Sequence, residues 1–324
     1  MSSSSDFSNL PSNLTLAGGI PLKNPDFGAS IAFLVLYILC VPLALYRAIH
    51  PASRTWVLLR PCIVIAIRIA TYIIRIIEAN GNYSEGLFIA DQVLLLTGLI
   101  PLCEPLVALL KAHIRRNWIP KPPVRPDQDS SAAQDPYAGL NRLLRLLSTL
   151  LLVALVLGIY SGTLANKAID NADDADTLKH MRIAISAITL VIVCGTGLIA
   201  LALQVREGLP VRGTAFLILV AALLALASAY KLDTALHPVS STSHGAKTAF
   251  YLLSCLPELL AILLYLSINL DVWFDVRESA WKDKVAKRMR KGKWDMPTYV
   301  HKTEYRWKKE QGHVEMGTLQ GPKA

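Results

Sequence analysis

The sequence predicts an all-α polytopic membrane protein of seven transmembrane helices, with the N-terminus outside and the C-terminus inside. Three observations carry that expectation. Hydrophobic residues make up 53% of the 324 positions and charged residues only 18%, with a mean hydropathy of +0.40, which does not describe a water-facing surface. Seven apolar stretches each approach the length of about 20 residues that a helix needs to cross ~30 Å of hydrocarbon. Lys and Arg are unevenly shared among the segments that join those stretches. The same composition excludes a disordered chain. It also excludes a disulfide-stapled secreted domain: Cys40, Cys62, Cys103, Cys194 and Cys255 are odd in number, irregularly spaced and set in apolar stretches, where they read as small buried hydrophobes.

A polar segment, residues 1–27, comes first. It is rich in Ser and Asn and has no basic start, so the apolar run that follows at 28–49 reads as a retained helix and not as a cleaved signal peptide. Further spans are expected at 56–77, 86–110, 141–162, 181–204, 213–232 and 247–270, which makes 28–270 the membrane domain. The longest connector, roughly 111–140, holds Pro120, Pro122, Pro123 and Pro126 and then a polar run. It cannot bury a core and reads as a flexible inner linker. No repeat of transporter type is visible. The tail, 271–324, opens with Arg277, Lys282, Lys284, Lys287, Arg288, Arg290, Lys291 and Lys293, flanked by Trp273, Trp281 and Trp294. Such a basic, Trp-bearing segment is expected to lie on anionic membrane lipid at an inner face. No nucleic-acid recognition motif accompanies it, so nucleic acid is not an expected partner.

The orientation follows from the cations. With the N-terminus outside and the tail left out, inner connectors and span ends hold 11 Lys and Arg against five on the outer side: Lys23, Lys167, Lys179, Lys231 and Lys247. Two glycosylation sequons, at Asn13 and Asn82, both fall outside on this topology. The acidic run from Asp170 to Asp176 is also outer. It reads as a solvated loop, because it lacks the ligand spacing and glycine of a calcium loop, and no metal is expected. The membrane is either the endoplasmic reticulum or the plasma membrane.

Charges inside spans carry the functional signal, since each costs at least about 2.5–3.5 kcal/mol at the bilayer centre. Arg60, Arg68 and Arg75 of span 2 share one face: at about 100° per residue, Arg68 lies ~80° from Arg60 and Arg75 ~20° back from Arg68. At about 1.5 Å rise per residue, Arg60 matches Glu104 of span 3 in the inner half, Arg75 matches Asp91 in the outer half, and Arg68 meets Glu258 of span 7 near the midplane. Asp91 and Glu104 stand ~140° apart on an ideal helix, so both can face span 2 only if Pro101 and Pro105 re-aim the lower half of span 3. One reading is a set of ion pairs holding the bundle. The other is a cavity for an amphiphilic ligand, opened by Pro257 beside Glu258. In that reading Glu258, Asp91 and Glu104 are the candidate catalytic acids, and Arg68, Arg75, Arg60 and Tyr72 the candidate substrate-binding groups. Tyr251 and Tyr265 are further phenol donors.

The segment Arg68-Ile-Ala-Thr-Tyr-Ile-Ile-Arg-Ile-Ile-Glu78, followed by Ser84-Glu-Gly-Leu-Phe-Ile-Ala-Asp91, resembles the second-to-third-span region of fungal seven-span proteins of the lipid-translocating exporter type. The run Leu96-Thr-Gly-Leu-Ile-Pro-Leu102 looks more like an uncharacterised fungal seven-span family. These resemblances imply a seven-helix fold and, for the first, export of a lipid or amphiphile. In architecture alone the chain is similar to fungal integral-membrane terpene cyclases, in which carboxylic acids protonate a prenylated substrate. No cyclase motif can be quoted, so no residue role transfers from that comparison.

No phosphate loop, zinc pair, nucleophile elbow or dinucleotide fingerprint occurs, and no cofactor is expected. The expectation is an integral membrane enzyme acting on a lipophilic, prenylated small molecule by acid-initiated cyclisation or isomerisation. A lipid or amphiphile exporter is the alternative. A seven-span receptor is third, since span 3 lacks a DRY-like end and span 7 an NPxxY-like one.

Overall fold

A computed structural model describes residues 16–50, 55–82, 84–116, 138–237 and 243–276. The Asn13 sequon, the proline-rich linker and the basic tail from Arg277 lie outside the described residues. Within them, every regular element is helical, and seven helices are long and apolar enough to cross a membrane. The seven spans make this a multi-pass membrane protein.

Span 1 is α1 (Lys23–Ile49) and span 2 is α2 (Trp56–Ala79). Span 3 is broken into α3 (Glu85–Thr97) and α4 (Ile100–Arg116). Span 4 is α5 (Ala138–Leu164), and a short α6 (Lys167–Asp170) leads to span 5, α7 (Ala172–Glu207). Span 6 is α8 (Val211–Leu236). Span 7 is composite: α9 (His244–Phe250), a π-helical turn (Tyr251–Cys255) and α10 (Leu256–Ser267). A short α11 (Leu270–Phe274) follows.

Span 3 is the hub. Some 72% of its most apolar stretch is buried against protein, against 22% for spans 1 and 4, and α4 touches α2, α5, α7, α8 and α10. The outer faces of the other spans present large apolar side chains such as Leu39, Leu152, Val191 and Leu198, as lipid requires. Spans 3 and 4 approach closely where small residues permit. A Cβ on Gly162 would stand 2.6 Å from the Cα of Val93 and one on Gly158 would stand 3.1 Å from the Thr97 methyl, so Gly158-Ile-Tyr-Ser-Gly162 is a small-xxx-small seam.

Two proline effects position the charges. Pro101 has no N–H for Thr97, and span 3 breaks at Gly98–Leu99, which re-aims its lower half as the 140° mismatch required. Pro257 likewise cannot donate to Leu253, and the preceding turn widens so that Leu256 N–H reaches the Tyr251 carbonyl, five residues back. In an unbroken helix Lys247 and Glu258 would share a face within ~20°, whereas the extra residue in the wide turn separates them by ~80°. They accordingly serve different neighbours.

Several boundaries differ from the sequence expectation. Span 1 begins within the polar N-terminal segment, and Asp26 is fully buried. Span 5 starts well before 181: Asn171 caps it by accepting from Asp173 N–H, and Asp173 and Asp174 complement the helix dipole in its first turn. Most of the acidic run read as a loop is therefore helical. Cys40, Cys103 and Cys255 are buried as expected, Cys62 is partly buried and Cys194 faces outward; all five thiols are free.

Candidate functional site

Span 2 presents its three arginines along one side, and each meets the acid expected from its depth. Arg60 binds Glu104, Arg68 binds Glu258, and Arg75 Nη1 donates to Asp91 Oδ2 at 3.1 Å. These pairs are not equivalent. The Arg60–Glu104 pair is about one-third exposed (34% and 37%), where an ion pair contributes little. The Arg68 pair lies near the middle of the bundle and the Arg75 pair toward the end where α1 begins, and both are buried.

Glu258 has two cations, not one. Its Oε2 accepts from Arg68 and its Oε1 from Lys231 Nζ at 2.9 Å, so neither oxygen is left to approach a substrate. Gly98 makes room for the Arg68 guanidinium: a Cβ there would stand 2.6 Å from Arg68 Nη2. Arg75 anchors a larger cluster. Its Nη2 donates to Asp26 Oδ1 at 3.3 Å and to the Gly18 carbonyl at 3.0 Å, and its guanidinium lies 5.3 Å from the centre of the Phe250 ring. Asp26 also accepts from Lys247 and from Tyr251 Oη, the latter at 3.1 Å. Tyr72 is fully buried in a stack with Phe33 at 5.6 Å, and Tyr265 Oη donates to the Leu102 carbonyl at 3.1 Å.

A cavity opens beside this network, between span 3 and spans 5 and 6. Its empty space is about 510 Å³ including its open mouth. The wall from span 3 is apolar, made by Leu95, Leu96, Leu99 and Ile100, with Phe250 beside it and Ile185 set among the polar residues of α7. The opposite wall is polar and cationic: Arg182, Ser186 and Thr189 of α7, and Ser228, Tyr230, Lys231 and Thr234 of α8. Ala17 and Gly18 close one side.

Arg182 is the informative member. It is 4% exposed, its Nη1 has no hydrogen-bond partner, and among the described residues no carboxylate pairs with it. Glu258 faces two cations, which leaves one positive charge in excess at Lys231, and Arg182 adds a second. A buried cation without a partner is costly, and an anion in the cavity would offset that cost.

None of Glu258, Asp91, Glu104, Arg60, Arg68, Arg75 and Tyr72 lines the cavity; Lys231, Gly18 and Phe250, which do line it, are the contacts through which Glu258 and Arg75 reach it. Sequence reasoning missed Asp26, Lys231 and Lys247 because each sits at the edge of an apolar run and counts as loop. It missed Arg182 although the signal was present: a cation one residue inside the apolar run beginning at 181. No protein-family model, curated protein or solved structure matches the chain.

Proposed function

We propose that this multi-pass membrane protein binds an amphiphilic anion and carries it across or out of the bilayer, the exporter reading of the sequence. The observation that supports it is the cavity whose polar wall holds the unpaired Arg182 together with Lys231 and five hydroxyl side chains on α7 and α8, opposite a wall of Leu and Ile. Arg182 and Lys231 suit a carboxylate or phosphate head, Ser186, the one lining hydroxyl not already donating to a carbonyl, one of its remaining oxygens, and the leucine wall an acyl or prenyl chain. On the orientation expected from the cation bias, with the N-terminus outside, this cavity would lie in the outer half of the membrane.

Proteoliposomes containing the full chain, loaded with a fluorescent alkyl carboxylate or alkyl phosphate, should release it faster than protein-free vesicles, while an alkyl ammonium of the same length should not be released faster. Equal release of the anion and the cation would remove the reading. The acid-initiated enzyme is the second reading. It draws support from one buried carboxyl, Glu78, whose oxygens have no hydrogen-bond partner. Product formation from prenylated substrates by the same membranes tests it.

A further inference from the structure

The end of the bundle where α1 begins carries a group that the carrier reading does not use. Glu78, one residue before the end of α2, is fully buried, and neither carboxyl oxygen has a hydrogen-bond partner. Its charged neighbours are Arg75 on its own helix and Asp91 on α3. Through Arg75 the group adjoins Asp26 of α1, and through Asp26 it adjoins Lys247 and Tyr251 of span 7.

The charges there do not balance if every acid is ionised. Arg75 and Lys247 are matched by Asp26 and Asp91, all four joined in ion pairs, and Glu78 is the third carboxyl. A buried ionised carboxylate with no donor is far costlier than a neutral one, so the odd acid is the one that keeps a proton. Asn80 and Gly81, exposed in the turn just beyond it, give that proton a short path to water.

The same cluster also holds down a strap. Residues 16–20 lie across one side of the cavity, with Leu16, Ala17 and Ile20 buried and Gly18 at φ +70°. Among the described residues, side chains supply the hydrogen bonds that fasten the strap to the bundle: Ala17 N–H donates to Gln92 Oε1 at 3.0 Å, Gln92 Nε2 returns a bond to the Ala17 carbonyl at 3.3 Å, Arg75 donates to the Gly18 carbonyl at 3.0 Å, and Lys247 donates to the Ile20 carbonyl.

We propose that Glu78 is a proton-binding site that latches the strap over the cavity. With the proton on, Arg75 is free to hold Gly18. When the proton leaves to water at the exposed turn, the Glu78 carboxylate, one helical turn from Arg75, takes the idle Nε–H of that guanidinium and turns its Nη2 away from the Gly18 carbonyl. The strap then loses one of its charge-assisted bonds, so it is fastened at low pH and loosened at high pH. The inference needs no ligand and does not depend on the carrier reading.

The test uses full-length protein in lipid nanodiscs carrying Ala17→Cys, labelled with an impermeant thiol reagent and quantified at position 17 by peptide mass spectrometry. A second protein adds Glu78→Gln, and the ratio of the two rates at each pH cancels the reagent's own pH dependence. The ratio should rise about tenfold or more with pH, the scale of losing one charge-assisted hydrogen bond. Infrared spectra of the protein without the cysteine should show a protonated-carboxyl band that Glu78→Gln removes. Glutamine mimics the neutral acid, so the variant should accumulate normally. Failure of Glu78→Gln to fold, a flat ratio or an unchanged infrared band would each overturn the proposal.

Discussion

Replacing Glu258 tests the centre of the bundle most directly. Glu258→Ala leaves two cations without a carboxylate: Arg68, 2% exposed, and Lys231, whose side chain is 15% exposed. Breaking one buried pair by removing a partner costs about 3–5 kcal/mol, and here one acid serves two partners, so the loss belongs at the upper end of that range, a factor of about 10³–10⁴ in the folded ratio. Arg68→Ala is milder, about 1–3 kcal/mol, because Lys231 still holds Glu258 at 2.9 Å. The double variant Arg68→Ala with Glu258→Ala should recover only part of the loss, since Lys231 keeps no acceptor but the Leu95 carbonyl at 3.3 Å. Adding Lys231→Met should complete the rescue. Glu258→Gln, which keeps shape but not charge, should cost nearly as much as alanine. Equilibrium unfolding of purified protein in mixed micelles gives these differences. Full rescue by the double variant, or an undamaged Glu258→Gln, would refute the bridging account and return Glu258 to the list of free acids.

Gly162→Ala should destabilise by about 1–3 kcal/mol in the same assay, because its Cβ meets the Val93 backbone, which cannot step aside, whereas Gly195→Ala, with nothing within 4 Å, should be neutral or stabilising by up to ~1 kcal/mol. Arg182→Met should raise the melting temperature of ligand-free protein, by removing an unpaired buried cation, and should abolish saturable binding of an alkyl carboxylate measured by titration calorimetry. On the orientation expected from the cation bias, a cysteine at Asn171 reacts with an impermeant reagent added outside intact cells and one at Ser130 does not; the reverse pattern inverts the topology.

Much of this site was readable in one dimension. Counting residues from span midpoints matched Arg60 with Glu104, Arg68 with Glu258 and Arg75 with Asp91, because a helix converts sequence number into depth with little error. The same counting stumbled on azimuth, since Asp91 and Glu104 cannot share a face on a straight helix; only the break at Gly98–Leu99 reconciles them. The second partners were hidden for another reason. Asp26, Lys231 and Lys247 lie near the ends of spans, where a hydropathy reading assigns polar residues to loops, and a long lysine stem or a strap laid over the bundle end can bury them all the same. The cavity was out of reach, since it depends on how α7 and α8 stand against span 3, and no periodicity in a single helix encodes that.

The wide turn in span 7 bears on how the chain tolerates changes in length. Insertions or deletions are ordinarily ruinous inside a membrane helix, because each residue turns everything beyond it by about 100°. Tyr251–Cys255 already absorbs one surplus residue within a single turn. Deleting one residue there would leave a continuous α-helix of adequate length, inserted as before, with Glu258 still seated on Arg68 and Lys231. Its aim would hold too: Lys247 and Glu258 would stand ten residues apart, ~80° on a plain α-helix and the separation the wide turn now gives, so Lys247 keeps Asp26. A deletion between them that left the wide turn intact would instead rotate Lys247 by about 100° away from Asp26.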